Sequence, residues 1–389
     1  MWRRFFLSAQ YARFYSGRSL LLIIGLALAF SLPVTTRFLA AVAANTLSER
    51  ARDYPFLVGS PGSPTDLVTH ALYYRNRSAS ELTYAAVTEL KQDDLVTVLP
   101  LHLGHFSGDY PIVGAASGFL KHRNVQYQAG GTWERMGDCI LGANVARNLG
   151  LSVGGSVISN QESFINPAGA LPLKMRITGI LAKTGSPDDE AIFVSLETAW
   201  LIDGIGHGHE ESLHTESTDP DSSQHASLEA RGTPFLEVTS ENINQFHFHG
   251  SRDSFPMTCA LAVPVDSRSG TIWEGRIRQQ DQFMLVRPAE VIEGLVTTLV
   301  DMQRVIDAIA TIVGMIVLML IVVIVMLSQQ MRREEFETYR ALGIERAVLR
   351  QLFLGDFLMM LIPALLLSVL LTAVFVPICQ TWWEQLVLS

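Results

Sequence analysis

No G-x-x-x-x-G-K-[ST] segment and no Gly-Lys pair occur anywhere in these 389 residues, so the chain has no loop with which to cradle a nucleotide phosphate and is not itself an ATPase. Cysteine is nearly absent. Cys139, Cys259 and Cys379 form no C-x-x-C pair, which excludes a disulfide framework and a zinc knuckle and leaves either one Cys139–Cys259 bridge or isolated buried thiols. Basic residues are in the minority, 29 against 38 acidic for a net charge of −9, and they form no arm that would neutralise a phosphate backbone; nucleic acid is not a partner. A G-x-S-x-G nucleophile elbow is missing as well. His209 and His214 flank a pair of glutamates but stand five residues apart. On a helix that is about 140° out of phase, so they are not the histidines of an H-E-x-x-H zinc protease.

What the chain does have is apolar sequence gathered into blocks. A membrane span needs roughly 20 apolar residues. Leu20 to Val34 carries no charge and is followed by Arg37, and the helical pattern runs on through Asn45, Leu47 and Arg50, as an uncleaved anchor with an outer stalk would. Ala308 to Leu327 is a second uncharged run. Leu352 to Ile378 is a third, interrupted by Asp356 and Pro363. Arg3, Arg4, Arg13 and Arg18 precede the first run, and Arg332, Arg333, Arg340, Arg346 and Arg350 lie between the second and third. The excess of Arg on those two segments puts both on the cytoplasmic side and the long middle segment outside.

The expected organisation is a membrane α-helical protein with a large α+β extracytoplasmic domain between the first and second spans. Residues 1–18 are a cytoplasmic tail, 19–44 the first transmembrane helix with its stalk, and 45–303 the outer domain. Residues 304–328 are the second transmembrane helix, 329–351 a cytoplasmic segment, 352–378 the third helix, and 379–389 an outer tail. Within the domain, Leu82–Lys91 and Leu141–Leu151 read as helices, the latter stopped by Gly150 or Gly154. Val96–Leu103, Ser156–Ser159, Met175–Leu181 and Ala191–Leu196 read as strands, with a turn at Gly185, Pro187 and Asp188. Val286–Asp301 reads as a helix leading into the second span.

Residues 203–229 differ from the rest: seven acids, four histidines and no Lys or Arg. So little apolar content cannot offset the entropy of ordering, and the stretch reads as a mobile loop. Six of the ten histidines lie between His207 and His249, including the H-x-H pairs His207/His209 and His247/His249. In an extended chain each pair presents one face, so His207, His209, His214 and His225 are candidate ligands for zinc or copper. The competing reading is a solvated insertion for the first pair and a strand face for the second.

The most informative stretch runs from Arg332 to Gly343, R-R-E-E-F-E-T-Y-R-A-L-G, and continues through Arg346 and Arg350 into the third span. It reads as a charged helix ended by Gly343. Its Phe336, Tyr339 and Leu342 suit a groove on a cytoplasmic partner, though a basic linker on anionic lipid would look similar. The stretch resembles the signature loop of MacB/FtsX-type (type VII) ABC transporter permeases, with Arg332, Arg333, Glu335, Phe336, Tyr339, Arg340, Ala341, Leu342 and Gly343 matching position by position. Ile140–Leu151 followed by Val153-Gly154, and Ile177–Leu181 followed by Thr184–Val194, are similar to elements of the same family's outer domain. Val58-Gly59-Ser60-Pro61-Gly62-Ser63-Pro64 resembles a subgroup that has a His-rich insertion and is associated with zinc handling.

That resemblance implies a coupling helix seated on an ABC ATP-binding subunit, where ATP and Mg are bound. It also implies a homodimer, or a heterodimer with a second permease, in the lipid of a bacterial inner membrane. The implied function is export or extraction of a lipoprotein, peptide or amphipathic compound. Regulation of a cell-wall hydrolase and zinc-linked transport are the alternatives. The family has four spans and this sequence shows three, so the expectation is either a three-span member or a shortened chain.

Overall fold

Among the described residues three helices are long and apolar enough to cross a membrane. The computed structural model describes residues 10, 13–14, 16–75, 81–91, 94–160, 171–208, 236–331, 338, 341 and 346–388. The chain divides into two units, one of residues 1–47 with 294–387 and one of residues 48–293 with the last two residues.

The helical unit is built from α1 (Ser16–Arg52), which carries the first apolar run, and from two later helices of 44 and 43 residues, Pro288–Met331 and Arg346–Leu388. Leu26, Ile321 and Ala364 are buried where the three meet. Most other apolar side chains point outward: Leu21 is 74% exposed, Met319 70% and Val369 69%. A water-soluble bundle would bury that surface, so these faces suit lipid. Arg37 closes the first uncharged run and Asp307 precedes the second, and the two form an ion pair of 2.9 Å, with Gln303 donating both to Asp307 and to the Thr36 hydroxyl.

The second unit is an α/β domain organised by one mixed sheet. After α1 come β1 (Phe56–Gly59) and α2 (Pro64–Tyr73), whose start is set by Ser63 accepting from the Asp66 N–H and by Pro64 at the first helical position. β2 (Leu82–Thr83) leads into α3 (Tyr84–Leu90), capped by the Thr83 hydroxyl. β3 (Val96–Ser107) and β4 (Tyr110–Ala115) form a hairpin, followed by α4 (Ser117–His122), β5 (Tyr127–Gly130), β6 (Asp138–Leu141) and α5 (Ala143–Leu149). β7 (Ser156–Ile158), β8 (Leu173–Leu181) and β9 (Ile192–Ser195) precede α6 (Leu196–Ile202). Then come β10 (Gly206–Gly208), β11 (Leu236–Glu237), β12 (Phe246–Phe248), β13 (Pro256–Met257) and β14 (Cys259–Pro264). The domain ends with α7 (Ser267–Ile277) and β15 (Met284–Val286), after which the two long helices follow as α8 and α9.

The sheet order is β11-β8-β6-β9-β4-β3-β14-β1-β15, with β5 and β7 also paired to β8. Two apolar cores lie along it. One gathers Phe56, Val98, Met257, Trp273 and Leu285; the other gathers Ile112, Cys139, Leu141, Met175 and Val194. α6 serves both, giving Leu196 and Trp200 to the first core and Ala199, Leu201 and Ile202 to the second. Cys139 and Cys259 lie in different strands as free buried thiols, and burial pushes the Cys259 thiol up to about 12.

Three boundaries differ from the sequence reading. Leu141 ends strand β6 and the helix begins at Ala143, because Gly142 makes the corner: a Cβ there would lie 2.4 Å from the carbonyl oxygens of Asp188 and Asp189. Leu82 and Thr83 pair with β13, so the helix starts at Tyr84. Val286 pairs with Leu57, and the helix starts at Pro288, whose fixed φ suits a first turn.

Candidate functional site

Of the residues that resemble the coupling loop, Ala341 is helical and exposed, as is Thr338. Arg332, Arg333, Glu335, Phe336, Tyr339, Arg340, Leu342 and Gly343 lie outside the described residues.

The described domain holds two charged anchors where the long helices join it. Arg50, in the last turn of α1, is buried with its guanidinium 2.8 Å from Asp188, whose side chain is 1% exposed. The same carboxylate accepts from the Tyr74 hydroxyl at 2.7 Å and from Arg123 at 3.0 Å. Arg50 Nε donates to the Leu72 carbonyl, and the planes of Tyr54 and Tyr74 lie within 6 Å of its guanidinium carbon. Burial alone would raise the Asp188 carboxyl, but Arg50 and Arg123, with hydrogen bonds from Arg50 and Tyr74, hold it well below the usual carboxylate range. Tyr74 reaches the site from a left-handed backbone, φ 58, at the end of α2. At the other junction Arg287, just before α8, pairs with Glu274 of α7, which also accepts from Arg278. Burial opposes the charge on Glu274, and the hydrogen bonds from Arg287 and Arg278 hold its carboxyl below the ordinary range.

A third cluster is the one arrangement of metal-ligating groups found among the described residues. His102 Nε2 lies 2.8 Å from one oxygen of Asp203, and His105 Nε2 lies 2.8 Å from the other. The two histidines come from β3. An i, i+3 spacing would put them on opposite faces of a regular strand, but the β3–β4 register shifts between them, with Gly104 at φ +119. Asp203 caps the C-terminus of α6. There Gly204 (φ +80) donates to Leu201 and Ile205 to Trp200, a Schellman ending that fixes the backbone. Burial opposes ionisation of Asp203, yet hydrogen bonds and charge from His102 and His105 hold its carboxyl well below the usual range.

The sequence had pointed elsewhere for metal. His209, His214 and His225 lie outside the described residues. His207 is in β10, opposite His247 of β12, and the His247 and His249 rings are 4.8 Å apart on an exposed edge. Residues 203–208, read as the start of a mobile loop, form a helix cap and a strand. The signals missed were a lone glycine inside an apolar strand, His102-Leu-Gly-His105, and a Gly-Ile pair ending a helix at Asp203.

Residues 308–388 match the FtsX-like permease C-terminal family. No curated protein matches the chain. Among solved structures, the periplasmic region of MacB from Actinobacillus actinomycetemcomitans is 10% identical, with 64% of this chain and 97% of that one covered at a TM-score of 0.36. The extracellular domain of the ABC-type transporter YknZ from Gram-positive bacteria is 10% identical over 59% and 98%, at a TM-score of 0.33.

Proposed function

From an FtsX-like permease C-terminal domain over residues 308–388, we propose that this chain is the membrane permease subunit of an ABC complex. In this reading the ATPase is a separate cytoplasmic subunit, and the domain between the first two long helices works outside the membrane. The match carries the reading, because it spans the second and third apolar helices and the Arg-rich segment joining them. Arg332 to Gly343 would be the element gripped by the ATP-binding subunit, with Phe336, Tyr339 and Leu342 as apolar anchors. The working unit would be a dimer of permease chains in the inner membrane, acting on a lipoprotein, peptide or amphipathic compound.

Force generated by ATP binding needs a stiff path into the outer domain. In this reading such a path would begin at the chain ends of the domain, where Arg50 pairs with Asp188 and Arg287 with Glu274. A buried ion pair that loses one partner costs about 3–5 kcal/mol, so residues 50 and 188 are held firmly together within the domain. Purification of the tagged chain in mild detergent, with mass spectrometry of what accompanies it, tests the assignment. An ABC ATP-binding subunit in stoichiometric amount is expected. Its consistent absence from a natively expressed complex would overturn the reading.

A further inference from the structure

The His102–His105–Asp203 cluster plays no part in the permease reading. We propose that it is a binding site for a divalent transition-metal ion, held by Nε2 of each imidazole and a carboxylate oxygen of Asp203.

Geometry is the first support. All three ligand atoms lie within 4.8 Å of one another. Zinc-like ions take imidazole nitrogen and carboxylate oxygen at about 2.0–2.2 Å in a tetrahedron, which sets neighbouring ligand atoms about 3.3 Å apart. Each imidazole nitrogen lies 2.8 Å from a different oxygen of the carboxylate, so admitting the ion means bringing three ligand atoms that already lie within 4.8 Å of one another to about the tetrahedral separation. Three protein ligands leave a fourth position open. It is reached from the Asp203 side, where the side chain is 18% exposed against 2% and 4% for the two imidazoles.

Charge is the second. The other acids of this domain that carry buried ion pairs have arginine partners: Asp138 has Arg176, Asp188 has Arg50 and Arg123, and Glu274 has Arg278 and Arg287. Among the described residues Asp203 has ion-pair partners only in the two imidazoles. A carboxylate in a largely buried place without an arginine or lysine partner is costly. A divalent cation supplies the missing charge.

Local backbone is the third. The bulge that turns His102 and His105 to one carboxylate rests on Gly104 at a φ open to few residues other than glycine. Nothing lies within 4 Å of where a Cβ would be, so glycine is needed there for conformation and not for space. Thr258 then satisfies the displaced backbone: its hydroxyl accepts from the Leu103 N–H at 2.9 Å and donates to the Leu103 carbonyl at 3.2 Å. Asp203 is held as firmly, since α6 is packed into both cores.

The test uses the full-length chain in detergent with His207, His209, His214, His225, His247 and His249 all changed to Ser. Only His70, His102, His105 and His122 then remain. After chelator treatment, Zn2+ is titrated calorimetrically and Co2+ by its visible d–d bands. One equivalent should bind. Asp203→Asn and His105→Gln, which keep size and hydrogen-bonding capacity, should each weaken it by about 100-fold or more, since loss of even an outer-shell partner costs about 10–100-fold. Zinc-edge X-ray absorption of the loaded parent needs no change at the site and should show two imidazoles with oxygen. A zinc shell lacking imidazole, no stoichiometric binding, or affinity untouched by either substitution would overturn the proposal.

Discussion

Arg50 and Arg123 take one oxygen each of the same carboxylate, Asp188, one arriving from the end of the first long helix and the other from the residue after α4. Arg123 also pairs with Asp53, whereas Arg50 has Asp188 as its counter-charge, and the acid could not be buried as it is without the two arginines.

Asp188→Ala should therefore lower the stability of the domain by about 3–5 kcal/mol, because Arg50 would stay buried with no counter-charge. Thermal unfolding of the detergent-solubilised chain, followed by tryptophan fluorescence, would register it through Trp200 and Trp273, both in the first core. A melting temperature equal to the parent's would contradict the account.

Acid should act through the same group. Its carboxyl is depressed in the folded state, while in the unfolded chain it titrates near the ordinary value of about 3.9. The unfolded state binds the proton more readily, so the stabilisation is complete above about pH 5 and is lost progressively as pH falls through about 4 toward the folded value. Denaturant midpoints measured from neutral pH downward should fall, and this component of the fall should vanish in Asp188→Asn. Midpoints that rise on acidification would have the wrong sign.

Gly142→Ala should destabilise without touching a charge. The added methyl would meet the carbonyls of Asp188 and Asp189, which are backbone and cannot swing aside. Overpacking of this kind costs about 1–3 kcal/mol, and the shift would displace the turn that carries Asp188. The same melting assay measures it; a change within about 0.5 kcal/mol, as at ordinary surface sites, would show that the corner yields.

Topology is open to a direct check. A reporter active only outside the cytoplasm should work when fused after Gly270 and fail at Glu345, and a cytoplasmic reporter should do the reverse. Exchanged activities would invert the orientation drawn from the arginines.

If Leu342 seats in an apolar groove of an ATP-binding subunit as proposed, Leu342→Asp should sharply reduce recovery of that subunit while leaving the chain in the membrane, since burying a carboxylate there costs several kcal/mol. Arg333→Ala should do less, because an exposed ion pair contributes about 0–1 kcal/mol. Unchanged recovery with Leu342→Asp would reduce the segment to a linker.

The membrane helices were readable from sequence because twenty uncharged apolar residues leave few alternatives, as at Ala308–Leu327. The strands of the second core were readable for a related reason: Met175–Leu181 is short, apolar and bounded by turn residues. Element edges were harder. Leu141 looked helical because apolar period alone does not separate a buried strand from the helix after it, and only the contact between Gly142 and the 188–189 carbonyls places the corner. The His–Asp cluster was the least legible. Its members lie 101 residues apart in the chain, and two of them share a face only through a bulge. Composition points instead to the densest histidine tract, where it signals metal without fixing any geometry.

The pairing of β1 with β15, Leu57 opposite Val286, has a consequence for how such proteins diversify. The chain enters and leaves this domain on neighbouring strands, so everything between residues 59 and 284 is a closed excursion whose ends meet. An excursion of that kind can lengthen, shrink or be exchanged at small cost in closure entropy, which grows only with the logarithm of loop length. The helices on either side need not adjust. The domain is thus a cassette whose far strands and loops can be altered without moving the two ends by which the chain enters and leaves it.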